Sequence, residues 1–324
     1  MNKKLITVAV ATAMAIPMVA NAGAKAKAYG GMHVAFQMVE VGDADATYDI
    51  DGSSRKGSKV GLKGSTDTNL MDFKAVYQIE LGLNQGGNGA VYQRDSWAGL
   101  SSKSKGTIRG GTIGTPWKSN SKLVDPLFTT ALEGRGGVVG GASSRLAGGT
   151  APDRGRSTHA VRYDSPSFSG VKVSANYAFI QGTEDAMGLG VTYKAKGMAG
   201  FFNYASTGED KAAMKIGGKA KFGDIGVSGA YEIDQGAIGN AKDSEKNSLY
   251  VAGTYGMGAT TLIVNFSMVA ESASDAKDDS TGFGFAVSQK IAKKVSVYGG
   301  YGMSSGGDNY TEMSALAIGM KAGF

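Results

Sequence analysis

The chain has 324 residues, of which 51 are Gly, 5 are Pro and none is Cys, and 34 Lys and Arg stand against 28 Asp and Glu for a formal charge of +6. That charge is too mild to point to a nucleic-acid partner, and a chain without Cys must hold together without disulfides. Abundant Gly (an average chain has about 7%) with scarce Pro argues against a disordered low-complexity chain and suits curved sheets, tight turns and crowded barrel interiors.

Lys3 and Lys4 precede an apolar stretch from Leu5 to about Ala20, closed by Ala20-Asn21-Ala22. This is the pattern of a cleaved signal peptide over residues 1–22. An anchoring helix is the alternative, but the stretch is short for a span and Pro17 interrupts it. Nothing after residue 22 reads as a transmembrane helix. If residues 23–324 cross a membrane, they do so as a β-barrel.

Beyond the leader the dominant signal is alternation with a period of two, which marks strands with one apolar face. Phe73, Ala75, Tyr77, Ile79 and Leu81 oppose Lys74, Val76, Gln78 and Glu80. Val171, Val173, Ala175 and Tyr177 oppose Lys172, Ser174 and Asn176; Leu262, Val264, Phe266 and Met268 oppose Thr261, Asn265 and Ser267. Strands are predicted near 29–40, 55–65, 70–84, 91–102, 106–114, 156–165, 169–180, 186–195, 198–206, 212–222, 225–234, 247–256, 259–270, 280–291, 294–304 and 312–324. The last is apolar on one face (Leu316, Ile318, Met320, Ala322) and runs to Phe324. A free apolar edge recruits other chains, whereas closure of a barrel removes it. Short connections follow the even strands, as at Lys196-Gly197 and Gly223-Asp224, and longer ones follow the odd strands. The fold expected is therefore all-β: a transmembrane antiparallel barrel of about sixteen strands, one domain over 23–324, with both termini on the short-turn side.

The third long connection, Thr115 to Gly155, is an outlier in length, and such loops are functional or disordered. It carries Trp117, Leu123, Leu127, Phe128, Leu132 and Leu146, so it is expected to fold inward and narrow the lumen. Lys59, Lys63, Lys74, Arg109 and Arg162 fall on the polar phase of their strands and would line a basic pore wall. The alternative for them is solubilising charge in a wide wet lumen. Arg94 shares a phase with Ala98 and Leu100, which points it at lipid unless a bulge turns it inward. Asp125 and Glu133 are the loop acids expected to face the basic wall across a constriction, although the loop also holds Lys118, Lys122, Arg135, Arg145 and Arg154.

Other clusters carry less. Asp43, Asp45, Asp49 and Asp51 crowd the first long connection, but the calcium-loop pattern fails there, with no Gly at its sixth position and no closing Glu. The two histidines, His33 and His159, support no catalytic triad. The Gly-rich stretches at 188–190 and 282–284 lie in strands with no following helix and are not nucleotide loops. No enzyme activity, metal or cofactor is expected. Tyr29, Tyr193, Tyr255 and Phe324 suit an interfacial aromatic girdle.

Taken in order, SKVGLKGSTD (Ser58 to Asp67), KAVYQIELGL (Lys74 to Leu83), RDSWAGL (Arg94 to Leu100), AVRYDSPSFSG (Ala160 to Gly170) and the terminal Phe324 resemble the sixteen-stranded general porins of Gram-negative bacteria. The family often has Arg where Lys59 stands, Arg near Thr112 and Asn where His159 stands. The resemblance implies passive diffusion of small hydrophilic solutes and ions across the outer membrane. It also implies a homotrimer with three separate pores, contact with outer-membrane lipid and lipopolysaccharide, and a barrel-assembly machinery that reads Phe324. The alternative on the same fold is a channel preferring anions or one nutrient class.

Overall fold

The computed structural model describes residues 24–51, 57–83, 91–134, 155–179, 185–207, 212–235, 245–271, 279–307 and 311–324. The leader reading therefore lies outside the described residues, as do Arg135, Arg145, Leu146 and Arg154 of the long loop.

Eighteen strand segments form one antiparallel sheet that closes on itself. They are β1 (Ala24–Val41), β2 (Thr47–Asp51), β3 (Lys59–Asp67), β4 (Lys74–Leu83), β5 (Val91–Gln93), β6 (Ser96–Ser102), β7 (Gly106–Gly114), β8 (Arg156–Asp164) and β9 (Val171–Ala178), followed by β10 (Ala186–Ala195), β11 (Met198–Thr207), β12 (Ala212–Phe222), β13 (Ile225–Gln235), β14 (Glu245–Met257), β15 (Thr260–Glu271), β16 (Ser280–Ala292), β17 (Val295–Gly306) and β18 (Met313–Gly323). β2 and β3 both pair with β1, and β5 and β6 both pair with β4, so each couple is one interrupted barrel strand and the barrel has sixteen. The first connection is accordingly shorter than expected, since β2 occupies 47–51, and the first strand starts at Ala24 rather than near 29.

Closure is made by β1 and β18, paired from Gly31↔Gly323 to Val41↔Met313. The backbone N–H of Phe324 donates to the Gly30 carbonyl at 3.1 Å. The terminal ring lies over Gly30, where a Cβ would come within 2.5 Å of it. The start of β1 pairs with the end of β3, beside a short turn, and Gly323 donates to Lys294 in another, so both described ends of the chain lie on the short-turn side.

Outward positions are large and apolar: Met187, Leu189, Val191 and Tyr193 on β10, Phe283 and Phe285 on β16, and Ile318 and Met320 on β18 are all exposed. Inward positions of the same strands are small, among them Ala186, Gly188 and Gly190, Gly282, Gly284 and Ala286, and Ala315 and Ala317. Only a closed ladder satisfies every backbone polar group in hydrocarbon, and these strands meet that condition while presenting an apolar exterior. Tyr193, Tyr255 and Phe324 sit outward near the turns. Tyr29 does not: it is on the inward phase with His33, and its hydroxyl donates to Glu80 at 2.9 Å.

Candidate functional site: the loop and wall of the lumen

The long loop leaves β7 at Gly114 and immediately forms a six-residue helix, α1 (Pro116–Ser121). Thr115 caps it, its hydroxyl accepting from the Lys118 N–H at 3.2 Å, and Pro116 occupies the first turn, where a missing N–H costs nothing. Pro116, Trp117, Asn120 and Ser121 are buried against the inner wall. Trp117 packs on Ala205 and Ala213, with the Lys215 ammonium 4.1 Å from its ring centroid, and Lys215 also donates to Ser121. Asn120 accepts from Thr192 at 3.0 Å and donates to Asn203 at 3.3 Å. A Cβ at Gly190 would come within 2.6 Å of Pro116, so glycine there lets the helix lie flat on the wall.

From α1 the loop follows the inside of the barrel. Ser228 on β13 donates to the Val124 carbonyl at 2.6 Å, Asn265 on β15 to the Leu132 carbonyl at 3.1 Å, and Lys321 on β18 to the Phe128 carbonyl at 2.9 Å. Leu127 and Leu132 are buried against Ala35, Ile263, Ala286, Tyr298, Ala315 and Ala317. Fully burying each such leucine is worth about 1.5–3 kcal/mol and each net hydrogen bond about 1 kcal/mol, so the seat is strong. The inward alanines of the later strands are thus the floor on which the loop rests.

The acids of this loop are buried and bound by the loop itself. Asp125 is buried, and it accepts from the Tyr250 hydroxyl, the Leu127 N–H and the Gly134 N–H, each at 2.9 Å. Glu133, also buried, accepts from the Thr129 N–H at 2.6 Å. For Asp125 the expectation that it faces the bases across the lumen is therefore corrected: its carboxylate ties the loop to Tyr250 of β14 and to the loop's own turns, while Glu133 holds the Thr129 turn. Burial, with the nearby Glu133 charge, pushes the Asp125 carboxyl up to about 6, against the pull of its Tyr250 and backbone hydrogen bonds.

The opposite wall, β1 to β8, carries the bases. Glu80 is 1% exposed and is shared by Lys59 at 2.8 Å, Arg94 at 2.7 Å and the Tyr29 hydroxyl. Arg94 reaches it because the strand is broken there. β4 pairs Leu81 with Gln93 and Gln78 with Trp97, so two residues of β4 face three, Arg94 to Ser96. This extra residue is a bulge, and it turns Arg94 inward. Next along the wall, Asp95 accepts from Arg156 at 3.0 Å and 3.3 Å. Beyond it Asp164 is shared by Arg109 at 2.6 Å and Arg162 at 2.8 Å, with Lys172 at 3.9 Å. Arg162 also donates to Gly114 and Ser119 at the root of the loop, and Arg109 stacks 4.8 Å from the Trp97 centroid. Lys63 lies 5.2 Å from the Tyr29 centroid on the same inward phase.

Lys74 sits apart. It opens β4 beside the β3–β4 turn and pairs with Asp67 at 2.5 Å, both side chains being well exposed. A second bulge, between β7 and β8, places His159 at φ +49 opposite Thr112. That left-handed position is one that Asn also tolerates well.

Sequence reasoning placed Tyr29 in the aromatic girdle and passed over Asp95, Asp164, Lys215 and Tyr250. Asp164 was within reach of it, because it shares Arg162's phase two residues on. Tyr250 and Lys215 were not, since only the path of the loop gives them a role.

The barrel thus has a polar inner wall with a loop seated against it, and the chain spans about a third of the length of the first curated relatives it matches. A Gram-negative porin family model matches residues 7–309, and the chain belongs to that family of outer-membrane β-barrels. Among its relatives, the major outer membrane protein P.IA of Neisseria meningitidis serogroup C is 32% identical over 132 residues, 40% of this chain and 31% of that protein. An outer membrane porin protein of Bordetella pertussis is 25% identical over 276 residues, 83% of this chain and 64% of its own length. Of solved structures, the anion-selective porin from Comamonas acidovorans superposes with a TM-score of 0.76 at 18% identity, over 93% of this chain and 100% of that one. The trimer form of OmpT from Vibrio cholerae gives 0.70 at 18% identity, over 93% and 100%.

Proposed function

We propose that this barrel is a water-filled channel for passive diffusion of small hydrophilic solutes and ions across the outer membrane, with a preference for anions, and that it is not an enzyme. The observation that carries the preference is the wall itself: Glu80 and Asp164 are each shared by two or more bases, while the loop acids Asp125 and Glu133 are buried and hydrogen-bonded. Net positive charge in a narrow low-dielectric passage favours anions. The fold likeness to a porin described as anion-selective supports this. The pore residues in this reading are Lys59, Lys63, Arg94, Arg109 and Arg162, with Lys74 at the short-turn mouth.

The likeness to a porin described in a trimer form supports a homotrimer. A leader over residues 1–22, contact with lipopolysaccharide, and recognition of Phe324 by the assembly machinery belong to the same proposal. Liposomes carrying the protein should swell in sugars up to a size limit and fail to swell in larger ones. Absence of swelling in the smallest sugars would remove the channel reading.

A further inference from the structure

Neighbouring barrel strands are consecutive along the chain everywhere except at β1 and β18, which lie at its two described ends and are held by pairing alone. Re-forming this seam after it opens carries the largest loop-closure cost in the barrel, because its strands are farthest apart in sequence.

The core of the inward loop lies across the seam. Leu127 and Leu132 are buried in one cluster with Ala35 of β1, Ala315 and Ala317 of β18 and Tyr298 of β17. Ala35 stands opposite Gly319 of β18, and Val39 of β1, packed on the same cluster, stands opposite Ala315, so the two leucines touch both sides of the joint. Gly300 on β17 leaves the room for Leu132, whose Cδ1 a Cβ there would approach to 2.7 Å.

Tyr298 ties the same two sides. In register, Gly319 lies between it and β1, as Tyr298↔Gly319 and Gly319↔Ala35. A Cβ at Gly319 would come within 2.6 Å of the Tyr298 ring, so the ring passes over that glycine and skips β18. Its hydroxyl is hydrogen-bonded to His33 Nε2 of β1 at 2.9 Å. His33 is where the ladder on the other side of β1 is interrupted: the partner changes there from β3, at Gly31↔Lys59, to β2, at Ala35↔Asp51. The His33 N–H donates instead to the Ser58 hydroxyl at 3.0 Å, and that hydroxyl donates to the His33 carbonyl at 3.1 Å. The loop reaches this interruption as well, since a Cβ at Gly57 would lie 3.6 Å from the Thr129 hydroxyl.

We propose that the inward loop is the inner lock of the barrel's closing seam: Leu127 and Leu132, with the Tyr298–His33 bridge, hold β1 to β18 from the lumen side, so that the seam reopens only after the loop leaves its seat. This second role of the loop is independent of which solutes pass. The seat draws on both sides of the seam and is complete only once β1 and β18 have paired. The lock therefore acts on reopening and not on the initial closure, and its loss belongs in the rate of unfolding.

The test is the rate at which the purified full-length protein in detergent loses its folded gel mobility at one fixed raised temperature. It is read for the unaltered protein, for Leu127→Ala with Leu132→Ala, and for Tyr298→Phe, each with and without Val34→Cys and Met320→Cys. Val34 and Met320 face each other across the seam on the outer phase, and the chain has no Cys of its own. Facing Cα atoms of an antiparallel pair lie about 4.5–5.5 Å apart, within disulfide reach, so oxidation joins β1 to β18 directly. Without the cross-link, the double alanine variant should unfold roughly tenfold faster or more, and Tyr298→Phe, which keeps the ring and deletes its hydroxyl, roughly fivefold faster. In the oxidised cross-linked protein both differences should disappear, and reductant should restore them. Loop variants that unfold at the parental rate, or differences that persist undiminished in the oxidised protein, would overturn the proposal. If the double alanine variant does not accumulate, Tyr298→Phe decides between the same outcomes.

Discussion

Arg109 and Arg162 stand directly opposite each other on β7 and β8, and both reach Asp164, at 2.6 Å and 2.8 Å. Like charges in facing positions on a sheet repel. Asp164, 4% exposed and also accepting from Ser174 at 2.6 Å, makes the pair tolerable without cancelling it. The wall thus holds concentrated positive charge at the root of the loop and keeps a net excess.

Asp164→Asn should leave two arginines facing each other without their shared carboxylate. The expected loss of stability is on the order of 2–3 kcal/mol, read as a lower unfolding midpoint in urea. Anion preference should rise in the same variant, because a negative charge has left the wall. A variant as stable as the parent and no more anion-selective would show that Asp164 does not serve this pair.

Arg162→Glu and Arg109→Glu should both move the reversal potential toward cations. Arg162 also donates to Gly114 and Ser119, so its loss should loosen the loop root and raise open-channel current noise, which the Arg109 change should not do. No movement of the reversal potential in either variant would place both outside the conducting path.

Asp125 makes the loop's seat sensitive to pH. Its carboxyl titrates near 6 when the loop is seated, above the ordinary value of 3.8. Below the lower value both states hold the proton. Between the two values only the seated state holds it, so the stabilisation is lost as pH rises through about 6. Amides of the loop that bind this carboxylate, Leu127 and Gly134, should show greater protection in hydrogen exchange at pH 5 than at pH 8 after correction for intrinsic rates. Asp125→Asn should abolish the difference. Tyr250→Phe removes a hydrogen bond that favours the ionised form, and should shift the transition upward. Greater protection at pH 8 than at pH 5 would reverse the sign and contradict the account.

Deleting Phe324 should reduce the folded protein recovered from the outer membrane and leave unfolded chain behind, and Gly30→Leu should do the same by filling the seat of the terminal ring. Lys321→Gln should matter far less for assembly. Its contact is with Phe128 of the loop, so its effect belongs to conductance. Normal folded levels after deletion of Phe324 would show that the last residue is not needed for closure.

The barrel was legible in the sequence because a strand with one face in lipid and one in water writes its phase into every second residue, and Phe283 against Gly284 or Leu189 against Gly190 needs no partner to be read. The loop's inward fold was legible from Trp117, Leu127 and Leu132, which have no place on a solvated surface. Two features were not, and a third was legible only as an alternative. The bulge that turns Arg94 inward could be named as one of two outcomes, but the extra residue in the pairing with β4 that decides between them leaves no mark in the alternation of a single strand. The burial of Asp125 depends on Tyr250, 125 residues away, and a carboxylate on a loop looks alike whether it faces water or a phenol. Tyr29 reads as a girdle residue by type, and only its register with Glu80 shows it to be part of the wall.

The most direct test of the account is the sign of the reversal potential of the unaltered protein in a planar bilayer with a potassium chloride gradient at neutral pH. A shared Glu80, a shared Asp164 and buried loop acids predict a potential on the chloride side. At physiological salt the screening length is about 8 Å, so these charges act across a narrow pore. A potential on the potassium side would contradict the account, because it would require acidic charge to outweigh Lys59, Arg94, Arg109 and Arg162 along the proposed conducting path.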